Sequence, residues 1–157
     1  MTKRRQALIS ALGSHVQGYQ RSTDFLDDTV ADHLDLNRTD LRCLDWLFDG
    51  PKAAGQLGEA TGLSSAATTT LVDRLERKDL VRRFRDASDR RKVLVELTDR
   101  ARDVTTRLYG PLVLEGATLL ERYTDDEIAM LSEFFHMSSE LTDRHRSRIE
   151  RQPIDDR

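Results

Sequence analysis

Between residues 64 and 77 the chain carries five small hydroxyl residues, Ser64, Ser65, Thr68, Thr69 and Thr70, followed by Arg74 and Arg77. Hydroxyls this short donate hydrogen bonds without holding their own backbone away from a partner. On the first turns of a helix they join free N–H groups and a dipole that already favour an anion. Arginines one and two turns further on reach phosphate oxygens. A second group follows at Arg85, Asp89, Arg90 and Arg91, around the turn-forming sequence Asp86-Ala87-Ser88-Asp89. The chemistry on offer is recognition of a polyanion through phosphates or base edges. The plainer account, in which Ser and Thr only cap and pad an exposed helix, explains the hydroxyls alone equally well.

Charge separates these groups from the rest of the chain. Arg74 to Lys92 holds nine basic and four acidic residues, a local charge of +5, whereas the 157-residue chain as a whole carries -3. The remainder therefore carries -8. Whole-chain acidity argues against a nucleic-acid partner and the local asymmetry argues for one.

Hydrophobic periodicity names the elements that must position these residues. Leu8, Leu12, Val16, Tyr19, Leu26, Val30 and Leu34 recur at helical spacing and predict a long amphipathic helix over about Lys3 to Leu34. A second helix begins after Asn37, with Asp40 at the capping-box position and Leu41, Leu44 and Leu47 as its stripe. Asn37-Arg38-Thr39 also matches a glycosylation sequon, but without a secretion signal the capping role is preferred. Asp49-Gly50-Pro51 marks a turn. A short helix follows over about Ala53 to Thr61, ended by Gly62. Ser64 or Ser65 caps the next, which runs to about Lys78 with Ala67, Leu71 and Leu75 toward the core. Asp79 falls where left-handed backbone is common.

The period then changes. Val81 to Arg85 and Lys92 to Leu97 read as the strands of a β-hairpin. Thr98 caps a further helix, in which Gly110-Pro111 predicts an interruption and kink. Thr124-Asp125-Asp126-Glu127 is a capping box for the last helix, with Tyr123 and Ile128 as a hydrophobic staple. Ile128, Leu131, Phe134, Phe135 and Leu141 form its stripe, and Gln152 to Arg157 reads as a frayed tail.

Helix, Gly62-Leu63-Ser64 turn, helix and basic hairpin in that order describe a helix-turn-helix with a wing. The second helix would enter a DNA major groove, and the wing's arginines would lie on the flanking minor groove. Asp86 and Asp89 would form the turn or direct the neighbouring arginines. Asp73, on the recognition helix, is expected to pair with Arg91 and couple helix to wing.

These motifs resemble a known family. Asp86-Ala87-Ser88-Asp89-Arg90-Arg91 followed by Val93-Leu94-Val95-Glu96-Leu97-Thr98 is similar to the wing signature of MarR-type transcriptional regulators. Leu71-Val72-Asp73-Arg74-Leu75-Glu76 and Leu80-Val81-Arg82-Arg83 match the same family in the same order. The chain departs from its pattern at Asp79 and Ala101, where Gly is usual, and at Gly58, where Ala is usual. The resemblance implies a mainly α fold with a small β-hairpin wing. Residues 1–36 and 99–150 would form dimerisation helices, residues 37–98 a winged helix-turn-helix domain, and residues 151–157 a frayed tail. It implies a homodimer on a pseudo-palindromic operator of double-stranded DNA, acting as a repressor or an activator, with a ligand-responsive repressor the preferred reading. A cytoplasmic location is expected from composition and the lack of signal and membrane segments. Surplus apolar surface on the terminal helices agrees with a dimer.

A small aromatic or phenolic effector is implied in the same way, with Tyr19, Arg42, Trp46 and Phe48 as candidate lining residues. Taken singly, Trp46 and Phe48 read as core. Cys43, the one cysteine, can form neither an internal disulfide nor a thiolate zinc site, and on an apolar helix it reads as an inert buried thiol. His15, His33, His136 and His145 are too scattered for a metal site, and His136 with Glu140 reads as a surface contact. No cofactor and no metal are expected.

Catalytic motifs are missing. Gly50 to Gly55 has the gap of a phosphate loop, but Gln56-Leu57 stands where Lys and Ser or Thr are required. No apolar run approaches the roughly 20 residues of a membrane span. The basic N-terminus is followed by Ala7 to Leu12 interrupted at Ser10, which disfavours a signal peptide. The alternatives to a DNA-binding regulator are a winged-helix module that binds protein, or a small-molecule enzyme.

Overall fold

The computed structural model describes residues 1–152. The tail expected to fray lies, from residue 153 on, outside the described residues. The chain divides into two compact units, Met1–Leu108 and Tyr109–Arg157.

The first unit opens with α1 (Lys3–His33), which buries only Val30 and Ala31. Helix α2 (Arg38–Phe48) has the expected reciprocal cap: Asp40 N–H donates to Asn37 Oδ1 at 2.9 Å, and Asn37 N–H to Asp40 Oδ2 at 3.1 Å. A short strand β1 (Lys52–Ala53) leads into α3 (Ala54–Thr61), which ends at Gly62 in left-handed conformation, φ 72°. Ser64 is the N-cap of α4 (Ser65–Arg77) and accepts the Ala67 N–H. Strands β2 (Val81–Arg85) and β3 (Val93–Leu97) form the hairpin, with Val81 opposite Leu97 and Arg85 opposite Val93.

The sheet has three strands in the order β1-β3-β2, all antiparallel, where the sequence predicts a two-stranded hairpin. β1 is two residues long, too short for any period to reveal. Its existence follows from the pairing of Lys52 with Val95 and Ala53 with Leu94.

The core lies among α2, α3, α4 and the sheet, built from Leu44, Leu47, Leu57, Leu71, Leu75 and Val95 with their neighbours. Thr98 receives the Ala101 N–H and starts α5 (Asp99–Leu120), whose Ala101 closes the same core.

Two helices of this unit end alike. After α4, Asp79 N–H donates to Glu76 O and Leu80 N–H to Leu75 O, with Asp79 at φ 56°. After α1, Asp35 at φ 52° and Leu36 donate in the same pattern to Asp32 and Ala31. Both are Schellman motifs with aspartate where glycine is usual. Lys78 Nζ joins the two ends, 2.7 Å from Asp35 Oδ2.

In the second unit, α5 continues through Gly110 and Pro111 to Leu120, so the expected interruption is not observed. Helix α6 (Asp125–Glu150) starts at the expected capping box, where Thr124 N–H donates to Glu127 Oε2 at 2.9 Å and Glu127 N–H to Thr124 Oγ1. Phe134 and Phe135 meet edge to face on it. Neither helix buries a large apolar side chain within this unit.

Candidate nucleic-acid interface

The exposed face of α4 is set by its buried one. Leu71, Val72 and Leu75 turn inward together with Thr68, which leaves Ser65, Thr69, Asp73 and Arg77 in one outward row with Ala66 and Thr70 beside it. Ser64 starts this face as the cap. The hydroxyls of Thr69 and Thr70 donate back to the carbonyls of Ser65 and Ala66, which leaves their lone pairs and methyl groups outward. Arg77 is exposed, its Nε 3.3 Å from Asp73 O.

Two residues of the expected recognition surface lie elsewhere. Thr68 is 1% exposed, packed against Gly58, and its hydroxyl donates to Ser64 O at 2.9 Å. Its spacing with Leu71, Val72 and Leu75 carried that signal: Leu71 and Leu75 face the core as expected, Ala67 is half-buried, and the buried face widens to take in Thr68 and Val72. Arg74 is withdrawn by Asp40, whose carboxylate is 1% exposed. Arg74 Nε lies 3.0 and 3.1 Å from the two Asp40 oxygens, and Nη2 binds Oδ1 as well. That pairing raises the Arg74 pKa. Arg74 thus fastens the recognition helix to the first turn of α2, and no signal local to α4 points to a partner 34 residues away.

The wing carries the remaining cations. Asp86 makes the turn: one carboxylate oxygen accepts the Ser88 hydroxyl at 2.6 Å, the Ser88 N–H at 2.7 Å and the Asp89 N–H at 3.3 Å. These donors hold its pKa below the ordinary carboxylate value. Asp89 accepts the Arg91 N–H at 3.1 Å, and Lys92 N–H closes onto Asp89 O. The aspartates are therefore spent on backbone. Arg85, Arg90 and Arg91 are exposed and form no ion pair among the described residues. The expected bridge from Asp73 to Arg91 is replaced. Asp73 Oδ1 lies 2.6 Å from Arg83 Nη2, and Glu76 binds the same guanidinium. Helix and wing are coupled, but through the first strand and not the tip.

The candidate effector residues are dispersed over α1 and α2. Tyr19 is 66% exposed, Trp46 44% and Phe48 41%, and Arg42 is exposed too. Neither Trp46 nor Phe48 is core in this chain. Cys43 is fully buried, and burial followed by the Asp40 charge pushes its thiol up to about 12, which keeps it protonated and unreactive at neutral pH. His136 and Glu140 meet at 3.6 Å on the surface of α6.

Comparison with known proteins agrees with this geometry. The MarR family model matches residues 36–93, the span from the α2 cap to the start of β3. The HTH-type transcriptional regulator YcgE of Bacillus subtilis is 33% identical over 128 residues, covering 81% of this chain and 83% of YcgE. The chain belongs to the MarR family. Among solved structures, a MarR family protein from Bacillus stearothermophilus superposes with a TM-score of 0.62 at 24% identity, over 90% of this chain and 99% of that one. The transcriptional regulator BldR of Sulfolobus solfataricus does so with a TM-score of 0.53 at 26% identity, over 88% and 99%. This MarR-family chain is a DNA-binding transcriptional regulator, and the relatives it resembles are regulators and not enzymes. No described helix is long and apolar enough to cross a membrane.

Proposed function

We propose that the chain works as a homodimeric, ligand-responsive repressor that binds a pseudo-palindromic operator. The observation carrying this reading is the union of an outward Ser65-Thr69-Arg77 row with three wing arginines free of carboxylates. The row suits the major groove, and Arg85, Arg90 and Arg91 suit the adjoining minor groove, whose narrow A·T tracts attract guanidinium. Dimerisation is supported by the terminal helices. Leu8, Ile9 and Phe25 on α1, and Val113, Leu114 and Leu141 in the second unit, are exposed in the single chain. A monomer rarely leaves that much large apolar surface in water. Two copies related by a twofold axis would present recognition helices about 34 Å apart.

In this reading residues 1–36 and 99–150 supply the dimer and residues 37–98 read DNA. A small aromatic or phenolic effector would change the separation of the two recognition helices. Tyr19, Arg42, Trp46 and Phe48, all exposed in one protomer, are its candidate contacts.

Selection of duplexes from a random pool tests the reading directly. The expected result is a site with twofold symmetry, a binding constant that falls steeply with salt, and a marked loss with Arg90→Ala or Thr69→Ala. Repeating the selection with aromatic carboxylates present tests the effector. Equal duplex binding by wild type and the Thr69→Ala, Arg90→Ala double variant refutes the interface. A chain that binds no duplex at any salt is the outcome belonging to a protein-binding module.

A further inference from the structure

The row proposed to face DNA contains an acid. Asp73 sits one turn after Thr69 and one turn before Arg77, exposed, with Glu76 half-buried beside it. A bare carboxylate at that place lies within a Debye length of about 10 Å of any phosphate the row approaches, and repels it. The chain answers with Arg83. In β2, Arg82 turns outward to Glu96 across the strands, at 2.7 Å, so the alternation directs Arg83 to the opposite side, toward α4. There Arg83 Nη2 lies 2.6 Å from Asp73 Oδ1, Nη1 binds Glu76, and the Arg83 N–H donates to Glu76 Oε1 at 3.2 Å. One guanidinium holds two carboxylates of the recognition helix.

We infer that Arg83 is a positioning residue that masks Asp73 and Glu76 from DNA and is not itself a DNA contact. The fork places a protein acid on each of its terminal nitrogens, so its charge is already matched by two carboxylates before any phosphate approaches. The masking also leaves the wing-tip arginines unengaged by the recognition helix. The inference rests on the duplex-binding reading above.

A double-variant cycle separates masking from contact. The probe is a labelled duplex enriched by the wild-type chain, titrated by anisotropy at about 0.1 M salt, where exposed charges still interact. Four proteins are compared: wild type, Arg83→Gln, Asp73→Asn with Glu76→Gln, and all three changes together. Arg83→Gln is expected to weaken binding about tenfold or more, since it uncovers both acids. Neutralising the acids should then restore affinity, with a gain about tenfold larger in the Arg83→Gln background than in wild type. Equal gains in both backgrounds mean that Arg83 meets DNA directly and overturn the inference. Arg83→Lys keeps the charge without the fork and should lie between wild type and Arg83→Gln. A folded Arg83→Lys that binds as weakly as Arg83→Gln overturns it too. Wild-type chain that fails to bind duplex refutes the regulator reading itself, whereas binding with additive effects refutes only the role of Arg83.

Discussion

Gly58, inside α3, lies close against Thr68 of α4 and the backbone of the turn between the two helices. A Cβ built there meets Thr68 Oγ1 at 2.9 Å and Leu63 O at 3.2 Å, both closer than ordinary van der Waals contact. Gly58→Ala therefore sets two effects against each other. Alanine in a helix interior gains roughly 0.5–1 kcal/mol from reduced backbone entropy in the unfolded chain. Forcing a methyl group into a packed site costs about 1–3 kcal/mol. Thr68 cannot yield freely, because its hydroxyl donates to Ser64 O, and Leu63 O belongs to the turn backbone. The net expectation is a loss of about 1–2 kcal/mol. Thr68→Ala removes the closer of the two contacts, so Gly58→Ala should cost much less in that background, with a coupling of about 1 kcal/mol. Urea midpoints of wild type, both single variants and the double variant measure this. Gly13→Ala is the control: its Cβ meets nothing within 4 Å, so it should stabilise α1 slightly. The reasoning fails if Gly58→Ala raises the midpoint as Gly13→Ala does, or if the two substitutions add.

Arg74→Leu leaves the Asp40 carboxylate buried without its cation, and should lower stability by about 3 kcal/mol, as a loss of urea midpoint at unchanged slope. A loss under about 1 kcal/mol would show that the pair is not what holds α4 to α2. Acidification should loosen the wing. The Asp86 pKa is depressed in the folded chain, so its hold on Ser88 is complete above the ordinary value of 3.8 and is lost only as pH falls through a lower one. The Ser88 amide resonance should titrate below 3.8, and Asp86→Asn should abolish that titration. Lys78→Met should free the end of α1 from that of α4, seen as faster amide exchange at Asp35 and Leu36, whereas unchanged exchange would make the bridge incidental.

Local chemistry was readable in the residues themselves. The Asn37–Asp40 and Thr124–Glu127 caps, a serine N-cap at 64 or 65, the Gly62 stop and left-handed Asp79 all follow from residues within a few positions of the backbone concerned. Long-range pairings were not readable. Arg74 looks like a phosphate ligand until α2 packs against α4 and brings Asp40 beside it. Asp73 had several arginines within reach, and the placement of β2 beside α4 that brings Arg83 to it belongs to the hairpin and not to Asp73. β1 exists only because β3 offers it an edge. At Gly110-Pro111 the fixed proline φ is itself helical, and the helix continues where a break was expected.

Cys43 gives this molecule a gauge of its own motion. It is the one cysteine in the chain, and it lies at zero exposure in the core shared by α2, α4 and the sheet. A thiol reagent can reach it only after that core opens. When closing outpaces labelling, the labelling rate divided by the rate for an unfolded chain gives the opening equilibrium. Nothing needs to be introduced, and the signal comes from the DNA-reading unit alone. Melting confined to residues 109–157 would pass unlabelled. A DNA duplex or an effector that tightens the recognition helix would slow the label by a factor that converts directly into coupling free energy.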